Sequence, residues 1–497
     1  MNNQEFLTSQ LITYLGNKRK LIPFIDETIN EIIKNDNRLA KKESNKINFF
    51  DIFSGSGVVS RYAKQKGFNV FTNDLEIYSK IINEAILNTT ETENEIRFKK
   101  IATKLRKKIK SDFLNDNYQL VLNYLNSLTE PKKIENRYFS LHYAPKNTDN
   151  VDFNTERLFY TTENALKIDA IVEKINDKNI FDKKSKNIIL TSLMYNMTKH
   201  INTSGTMKGF HNGWGGKTKS ALNRILSSIK LEKLIFHGNN KTKIFQDYSE
   251  ILFKKYKLKK MDIIYADPPY NQHQYSANYN HLTTICKNDK YLPGDVVIGS
   301  RAGIRKDHNR SDFCKSKKNE DNIKIAYVAF NNFIKSIKTK YLILSYNNEG
   351  ILSVNELIEI LSNNCNNMIK VKKQEYSKFK GGKNHKGNKN VIEYLIIVEF
   401  NKSQKNDDLD FVKNELKKHK IRHETIGKTV EYNDIPQNLI KAEDKKSIII
   451  VSGKNKFSID KETQCIKEIF FFDDLDFEVF TKMIRGEDKQ RRQKKAA

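Results

Sequence analysis

This 497-residue sequence has four cysteines, one tryptophan and no long apolar run. No stretch approaches the roughly 20 apolar residues that a membrane-spanning helix needs. The first ten residues, MNNQEFLTSQ, lack the basic and then apolar pattern of a secretory signal. The cysteines lie far apart and form no CxxC pair: Cys286, Cys314, Cys365 and Cys465. They predict reduced thiols rather than disulfides or zinc ligands, so we expect a soluble cytoplasmic protein without a metal site.

Acidic residues are also few relative to basic ones. The sequence has 60 Asp and Glu against 88 Lys and Arg, which gives a formal net charge of +28. Such an excess predicts a polyanionic partner, with nucleic acid favoured over membrane, and hence a location at the nucleoid. A background richness in Lys, Asn and Ile is the alternative source of part of this charge. The chain is too long for one compact core, so two or three domains are expected.

The central stretch of the sequence is Met261–Tyr270, which reads MDIIYADPPY. Its apolar and β-branched residues predict a buried strand of a parallel sheet. The two prolines must end that strand because neither can donate to a ladder. Asp267, Pro268, Pro269 and Tyr270 would then stand at the carboxyl end of the strand, the edge where open α/β sheets bind ligands.

The residues at that edge have a chemical use. The exocyclic amine of a nucleobase is a poor nucleophile because its lone pair is delocalised into the ring. The Asp267 carboxylate and the Pro268 carbonyl, held rigid by the Pro-Pro unit, could accept its N–H groups and localise the lone pair. Tyr270 could stack on a base that has left its helix, a contact of roughly 1–3 kcal/mol. The alternative is a strand that ends in an Asp-Pro turn, with Tyr270 in the core.

A glycine turn follows an earlier strand. The pattern of Ile47–Ile52 predicts a buried strand that runs into FSGSG, in which Gly55 and Gly57 let the backbone approach a cofactor closely. A second strand, Phe68–Thr72, ends near Asp74, which lies close to the roughly 20-residue spacing at which an acid meets a ribose. This order favours a nucleoside-bearing cofactor, and the missing third glycine argues against a pyrophosphate.

The third strand of this pattern is delayed. The next strand pattern is Leu231–Phe236, which leads to the Asp247 region after an interval of about 140 residues, far longer than a crossover needs. We therefore predict an inserted domain at 91–230. Apolar residues at helical spacing mark its helices: Phe98, Ile101, Ala102, Leu105 and Ile109; Ala165, Ile168, Val172 and Ile175; Ile189, Leu193 and Met197.

Other elements are predicted on both sides of the insert. An amphipathic helix carries its apolar face on Leu21, Ile25, Ile29 and Ile32, with Pro23 in its first turn. Later patterns predict a strand at Lys340–Tyr346, a β-hairpin formed by Met368–Tyr376 and Val391–Phe400, a helix at Phe411–Leu416 and a strand at Ser447–Val451.

Three polar or basic segments are predicted to contact nucleic acid. They are the Gly- and Lys-rich loop 202–219, the segment 271–281 (NQHQYSANYNH) and the loop 378–390 (KFKGGKNHKGNKN). The predicted contact residues are Lys208, Trp214, Tyr275, Asn278, Tyr279, Lys380, Lys383 and Lys386. Solvated lysines and a capped helix start are the alternatives.

Taken in order, these motifs resemble the Dam-like (α-group) adenine-specific DNA methyltransferases of bacterial restriction–modification systems. The motifs are YLGNK (14–18), FSGSG (53–57), NDLE (73–76), QDY (246–248) and DPPY (267–270), with the insertion before QDY. The resemblance covers roughly residues 7 to 400. It implies an α/β, Rossmann-like methyltransferase fold with a mostly parallel sheet and an antiparallel β-hairpin edge. The catalytic domain would comprise 1–90 and 231–400, the mainly helical target-recognition domain 91–230, and a small α+β region of unknown role 401–497.

The resemblance also implies S-adenosylmethionine as the cofactor. Asp74 would hold its ribose, Asp247 would lie near its adenine, and Tyr14 and Lys18 would approach its methionine end, although the family often has Trp where Tyr14 stands. The full set of implied cofactor-binding residues is Tyr14, Lys18, Phe53, Gly55, Gly57, Asp74, Asp247 and Asp267.

The expected reaction is methyl transfer to adenine N6 in duplex DNA, after the target adenine has been rotated out of the helix. Asp267, Pro268, Pro269 and Tyr270 would be the catalytic residues. The alternatives are methylation of RNA or of a protein glutamine, or a modification enzyme fused to a restriction activity after residue 400. A cognate restriction endonuclease is a candidate partner, and the sequence does not decide between monomer and dimer.

Overall fold

The computed structural model describes residues 3–105, 116–294, 302–364, 368–377, 390–400, 402, 440–443, 447–452, 455–460 and 466–470. Eleven strands are found within these ranges: β1 (Asn48–Asp51), β2 (Asn69–Asn73), β3 (Thr242–Phe245), β4 (Met261–Ala266), β5 (Thr339–Asn347), β6 (Met368–Ser377), β7 (Asn390–Glu399), β8 (Ile440–Glu443), β9 (Ser447–Ser452), β10 (Asn455–Asp460) and β11 (Ile466–Phe470).

The helices in the same ranges are α1 (Asn3–Thr8), α2 (Ile22–Asn35), α3 (Asn37–Ala40), α4 (Val58–Gln65), α5 (Ile77–Leu87), α6 (Glu91–Leu105), α7 (Asn117–Asn126), α8 (Phe139–His142), α9 (Thr162–Ile175), α10 (Lys183–His200), α11 (Leu222–Leu226), α12 (Leu252–Lys255), α13 (Tyr275–Asn278), α14 (Asn280–Lys287), α15 (Ile325–Ser336) and α16 (Val354–Asn363). Short 3₁₀ turns include Lys18–Leu21 and Asp312–Cys314. In the described part of the chain, no helix is both long and apolar enough to cross a membrane.

The strands β1 to β7 form one mixed sheet in the order β3-β2-β1-β4-β5-β7-β6. The first five of these run parallel, and β7 is antiparallel to both β5 and β6. This topology confirms the predicted mostly parallel sheet with a hairpin edge.

The strand β4 lies at the centre of the sheet and is buried along its whole length. Ile263 and Tyr265 belong to the apolar cluster on one face, and Ile264 and Ala266 belong to the cluster on the other face. Burial on both faces explains why the sequence of β4 is continuously apolar instead of alternating.

The third strand differs from the prediction. The edge strand beside β2 is β3, and Leu231–Phe236 has no regular secondary structure. Leu231, Leu234 and Phe236 of this segment are buried, but side chains rather than a strand satisfy its backbone. Asn126 bonds both the N–H and the carbonyl of Leu231, and the Ser192 hydroxyl does the same for Glu232. The backbone of the segment is therefore satisfied without being part of the sheet.

The insert is helical, as predicted, and its apolar faces are continuous with the core of the sheet. Phe98, Ile101, Ala102 and Leu105 of α6 are buried, whereas Ile109 lies outside the described residues. The helix α10 packs against α5, which follows the second strand of the sheet. Since one apolar cluster joins Phe49 of β1 to Leu193 of α10, the insert shares the main core, and its boundaries stay a prediction.

Beyond residue 400 the description is partial. The strands β8 to β11 form an antiparallel sheet in the order β11-β10-β9-β8. The strand β9 confirms the prediction at Ser447–Val451, whereas the helix predicted at Phe411–Leu416 lies outside the described residues. Of the four cysteines, Cys286 and Cys314 are free thiols, and the other two also lie outside the described residues.

Candidate active site

A cavity of about 340 Å³ opens at the carboxyl ends of β1, β2 and β4. Most residues predicted for the cofactor and for catalysis line it: Tyr14, Lys18, Phe53, Gly55, Asp74, Asp247, Asp267, Pro268, Pro269 and Tyr270, together with Tyr275. Gly57 does not line the cavity but begins α4 in the left-handed conformation, with φ of 80°. The fold therefore brings the glycine turn and the DPPY segment to one place, as parallel strand ends must.

The Asp267 carboxylate is paired with a buried lysine. Its Oδ1 lies 3.1 Å from Lys18 Nζ, and the same ammonium lies 2.9 Å from Glu393 Oε1. Glu393 is fully buried, and its Oε1 also accepts a hydrogen bond of 2.5 Å from Ser345 Oγ. The predicted contact of Lys18 with the methionine end of a cofactor stays a prediction, because this ammonium is already held between two acids.

Burial governs the charge of this group. Burial raises the pKa of Asp267 to about 7, an effect that Lys18 opposes and Glu393 reinforces. Burial also acts against the charged form of Lys18, but Asp267 and Glu393 outweigh it and hold the pKa of Lys18 well above its ordinary value. The ion pairs therefore favour the charged form of Lys18, while burial favours the protonated form of Asp267.

Tyr270 is half-buried and is fixed by Tyr346 of β5 and by Ile351, which follows that strand. Its carbonyl accepts a hydrogen bond of 2.8 Å from Ile351 N–H, and its ring stands edge-on to Tyr346 with centroids 5.5 Å apart. Lys18 Nζ lies 5.3 Å from the centroid of the Tyr270 ring. A Cβ on Gly350 would come within 2.1 Å of the Tyr346 ring, so only glycine allows Tyr346 to support Tyr270 in this way.

The glycine turn is closed by Asp74. Gly55 has φ of 49°, and its N–H donates to Asp74 Oδ2 at 2.7 Å. A Cβ on Gly55 would lie 2.8 Å from the Tyr14 ring, so glycine is required both by the backbone conformation and by the close approach of Tyr14. Asp74 Oδ1 accepts from Glu76 N–H at 2.9 Å. Asp74 thus joins the turns after β1 and β2, and its predicted contact with a ribose remains untested.

Two further acids line the cavity that the sequence did not single out. Asp51 Oδ1 and Glu76 Oε2 are buried and have no hydrogen-bond partner among the described residues. Burial raises the pKa of Asp51 to about 7 and that of Glu76 to about 8. Buried carboxylate oxygens without donors fit a ligand that carries positive charge and hydroxyl groups.

Asp247 stands at the far side of the cavity. Its backbone N–H donates to Asn73 Oδ1 at 3.0 Å, and Asn73 Nδ2 donates to the Asp247 carbonyl at 3.1 Å. The Asp247 carboxylate accepts hydrogen bonds from Lys255 and from Tyr256 Oη. These contacts fix its position beside the end of β2, but they do not test its predicted role toward an adenine ring.

Asn278 and Tyr279, which are predicted to contact DNA, are buried in this structure, and the contacts stay a prediction. Each is 1 % exposed. Tyr279 stacks beneath Tyr14 at 4.8 Å, and its Oη accepts from Leu15 N–H at 2.7 Å. Tyr275 also stacks on Tyr14, at 5.0 Å, but it lines the cavity and is half-buried. Tyr275, at the start of α13, and Tyr279, between α13 and α14, thus form a platform under Tyr14.

The segment 309–314, which the sequence analysis missed, crosses the mouth of the cavity. Gln274 pairs with the backbone of Ser311 in both directions: Nε2 donates to the Ser311 carbonyl at 3.0 Å, and Oε1 accepts from Ser311 N–H at 2.8 Å. Asn309 Nδ2 donates to the Leu75 carbonyl at 3.2 Å. We call this segment the strap. No strand pattern in the sequence marks this segment, because the side chain of Gln274, and not a neighbouring strand, bonds its backbone.

The strap carries both an apolar anchor and a cation. Phe313 is buried and packs edge-on against Phe53 and Phe333, with centroids 5.4 Å and 6.2 Å away. Arg310 is exposed, lines the cavity and has no hydrogen bond or ion pair within the described ranges. The strap therefore presents an unpaired guanidinium at the opening.

The loop 202–219 reaches the same opening. Met207 N–H donates to the Asn278 carbonyl at 2.6 Å, which docks the loop on α13. Burial raises the pKa of the Cys314 thiol to about 12, and the ammonium of the neighbouring Lys208 acts in the opposite direction. Trp214 is half-buried and donates from Nε1 to the Thr148 carbonyl at 3.0 Å, so part of its role is structural. Lys380, Lys383 and Lys386 lie outside the described residues.

No group of three His, Cys, Asp or Glu side chains among the described residues is arranged to hold a metal ion. The groups that line the cavity are instead carboxylates, one buried ammonium and aromatic rings. This set is able to bind a cationic nucleoside and to accept hydrogen bonds from an amine.

Residues 14–107 and 95–360 match the family described as D12 class N6 adenine-specific DNA methyltransferase. Among curated proteins, the chain is 27% identical over 433 residues to modification methylase StsI of Streptococcus sanguinis, covering 86% of this chain and 56% of that protein. It is 27% identical over 398 residues to type II methyltransferase M.NlaIII of Neisseria lactamica, and the match covers 78% of this chain and 99% of that protein. It is 28% identical over 416 residues to M.FokI of Planomicrobium okeanokoites, with 82% and 55% covered. The chain thus spans little more than half of two of these relatives.

Proposed function

Because the chain belongs to the family of D12 class N6 adenine-specific DNA methyltransferases, we propose that it methylates N6 of an adenine rotated out of duplex DNA. We further propose that it is the modification enzyme of a restriction–modification system. The observation that carries the proposal is the shared cavity of the glycine turn and the Asp267–Tyr270 segment. A cognate restriction endonuclease is its expected functional partner.

The chain's own residues act on the amine of the target base. Asp267 and the Pro268 carbonyl accept its two N–H groups, which localises the lone pair and stabilises the positive charge that develops on nitrogen. Tyr270, fixed by Ile351 and Tyr346, stacks on the extruded ring. Catalysis on this account is positioning and electrostatic stabilisation, and it requires no base before the attack.

A methyltransferase needs a methyl donor, and we propose S-adenosylmethionine. When bound, this cofactor supplies an electrophilic methyl group on a sulfonium centre. The unpartnered oxygens of Asp51 and Glu76 suit its positive charges and hydroxyl groups. Asp74 would hold the ribose, the Gly55 turn would let the backbone approach, and Tyr14 would cover the methionine end.

Duplex DNA would approach the opening of this cavity. Lys208 and Arg310 are exposed there and would contact phosphates, while Tyr275 lies beside the path of the extruded base. The net charge of +28 agrees with such a partner. Contacts by Trp214 and by the lysines of loop 378–390 remain predictions.

The test is to incubate the full chain and labelled S-adenosylmethionine with one substrate at a time: unmethylated duplex DNA, RNA or protein. The methylated product is identified by mass spectrometry. We expect N6-methyladenine in DNA alone. Asp267→Ala should lower the rate by about a thousandfold or more, since it removes one of the two acceptors in a water-poor site, while cofactor binding measured by calorimetry persists. Methyl groups on RNA or glutamine only, or full activity of Asp267→Ala, would overturn the proposal.

A further inference from the structure

The hairpin edge of the sheet delivers an acid to the catalytic carboxylate. In β7, Leu395 and Ile397 belong to the apolar cluster that also contains Tyr265 of β4 and Ile343 of β5. Because side chains alternate along a strand, Glu393, two residues before Leu395, is on this same face. Asp267 and Ser345 follow Tyr265 and Ile343 by two residues and share it as well. Three neighbouring strands therefore bring three polar side chains to one corner of the sheet.

At that corner, the ammonium of Lys18 joins the two acids. It lies 3.1 Å from Asp267 and 2.9 Å from Glu393, and the Lys18 and Glu393 side chains are 4% and 0% exposed. A wholly buried carboxylate on a sheet strand is rare unless it is paired. The packing of the apolar core does not require its charge, since a Gln would fill nearly the same volume.

We propose that Glu393 is a positioning residue for methyl transfer: it holds the Lys18 ammonium against Asp267, so that Asp267 keeps a fixed orientation and a defined charge when it accepts the adenine amine. This inference rests on the proposed function for its kinetic part, but not for its effect on Asp267 itself. Glu393 touches neither the base nor the cofactor in this account, and it acts through Lys18.

The charges around Lys18 predict the direction in which the pKa of Asp267 should move when Glu393 is neutralised. One ammonium stands between two carboxylates, so the second carboxylate makes ionisation of Asp267 less favourable and raises its pKa. Among the described residues, the titratable or charged groups that interact with Asp267 are Lys18, Glu393, Asp51, Tyr265 and Tyr275, and the Tyr270 ring lies beside Lys18. Of these groups, Lys18 lowers the pKa of Asp267, and Glu393 raises it. Both acids form a direct ion pair with Lys18. Neutralising Glu393 should therefore lower the pKa of Asp267.

The first experiment compares Glu393→Gln with the wild type. Glutamine still accepts from Ser345 and Lys18 but carries no charge. Infrared titration of protein with ¹³C-labelled aspartate carboxyl groups, with Asp267→Asn to identify the band, follows Asp267 without any need for activity. We expect the midpoint to fall by about half a pH unit or more, which raises the ratio of kcat at about pH 6 to kcat at about pH 8 by roughly two- to threefold. KM for DNA should stay within about twofold, since uniform binding is unaffected.

The second variant, Glu393→Ala, removes the support as well as the charge. We expect kcat to fall on the order of tenfold to a hundredfold through misplacement of Asp267, with KM little changed. Asp262→Asn is the matched control, because Asp262 is a buried acid bound to Arg38 and Lys42 at the opposite end of β4. That control should lower stability without moving the titration of Asp267.

The outcomes separate the two proposals. If the wild type methylates no DNA, the proposed function fails, and the infrared midpoint still tests Glu393. If Glu393→Ala does not fold, Glu393→Gln alone decides. An Asp267 midpoint in Glu393→Gln that equals that of the wild type, or a shift that Asp262→Asn reproduces, overturns the inference.

Discussion

Seven acidic residues line the cavity, and burial raises the pKa of four of them, Asp51, Asp74, Glu76 and Asp267. The pKa of Asp74 is raised to about 6, those of Asp51 and Asp267 to about 7, and that of Glu76 to about 8. Lys18 is the buried cation among them. Near neutral pH the cavity therefore holds a set of partly protonated acids. A bound cation would favour their ionised forms.

This arrangement predicts that S-adenosylmethionine binds with release of protons. The affinity should rise with pH between about 6 and 8, where these acids would otherwise be protonated, and level off above that range. Calorimetry in buffers of different ionisation enthalpy measures the number of protons released. S-adenosylhomocysteine, which lacks the sulfonium charge, is the matched ligand and should release fewer.

The same linkage has a variant test. Asp51→Asn removes one of the four acids while keeping an oxygen that can accept from Ser60 Oγ, now 2.6 Å from Asp51 Oδ2. It should lower the number of protons released and flatten the dependence of the affinity on pH. An affinity for S-adenosylmethionine that stays constant between pH 6 and 8 in the wild type would contradict this account.

At the scale of elements, the sequence predicted what depends on local pattern. The apolar run of β4, the helical spacing of α2, α6, α9 and α10, and the hairpin β6–β7 follow from periodicity that one segment carries by itself. Glu393 was not singled out from the sequence, because its pairing with Lys18 depends on the register of β7 against β5, which is fixed by long-range contacts.

The elements that prediction missed are those whose backbone is satisfied by side chains. Leu231–Phe236 has the composition of a strand, but Asn126 and Ser192 take the place of a neighbouring strand. The burial of Asn278 and Tyr279 depends on which face of α13 and α14 docks beneath Tyr14, and a polar sequence does not reveal that face. The strap depends on Gln274 in the same way.

Loss of the Gln274 amide should release the strap. Gln274→Ala removes two hydrogen bonds to Ser311, each worth about 0.5–1.5 kcal/mol. We expect weaker binding of S-adenosylmethionine, on the order of tenfold, and faster amide exchange across 309–314, with the global melting temperature nearly unchanged. Calorimetry and hydrogen-exchange mass spectrometry measure these effects.

Gln272→Ala is the control for the strap, since Gln272 is exposed and makes one bond, to Ser316 Oγ, outside the segment 309–314. Its affinity and exchange pattern should match those of the wild type. If Gln274→Ala left both measurements unchanged, the other contacts of the strap, among them the packing of Phe313 and the hydrogen bond from Asn309 to Leu75, would be enough to hold it.

At the scale of the whole molecule, charge is divided between inside and outside. The cavity is lined by carboxyl groups, whereas the chain as a whole carries +28. Lys208 from the insert and Arg310 from the strap stand at the opening, on elements that are separated by about 100 residues of sequence but joined through α13. The electrostatic field thus favours binding of a positively charged methyl donor inside the cavity and of a polyanion at its opening.

The two cations at the opening should govern binding of DNA more than its methylation. Lys208→Ala and Arg310→Ala should each raise KM for duplex DNA and reduce the slope of log affinity against log salt by about one, because each removes one phosphate contact. In the double variant the slope of log affinity against log salt should fall by about two, if the two contacts are independent. Fluorescence anisotropy with a labelled duplex over a salt series measures the slope, and steady-state kinetics measures KM. Lys260→Ala, an exposed lysine next to the start of β4 at the opposite edge of the sheet, is the control and should leave both unchanged. A salt slope in Lys208→Ala and Arg310→Ala equal to that of Lys260→Ala would place the duplex elsewhere on the molecule.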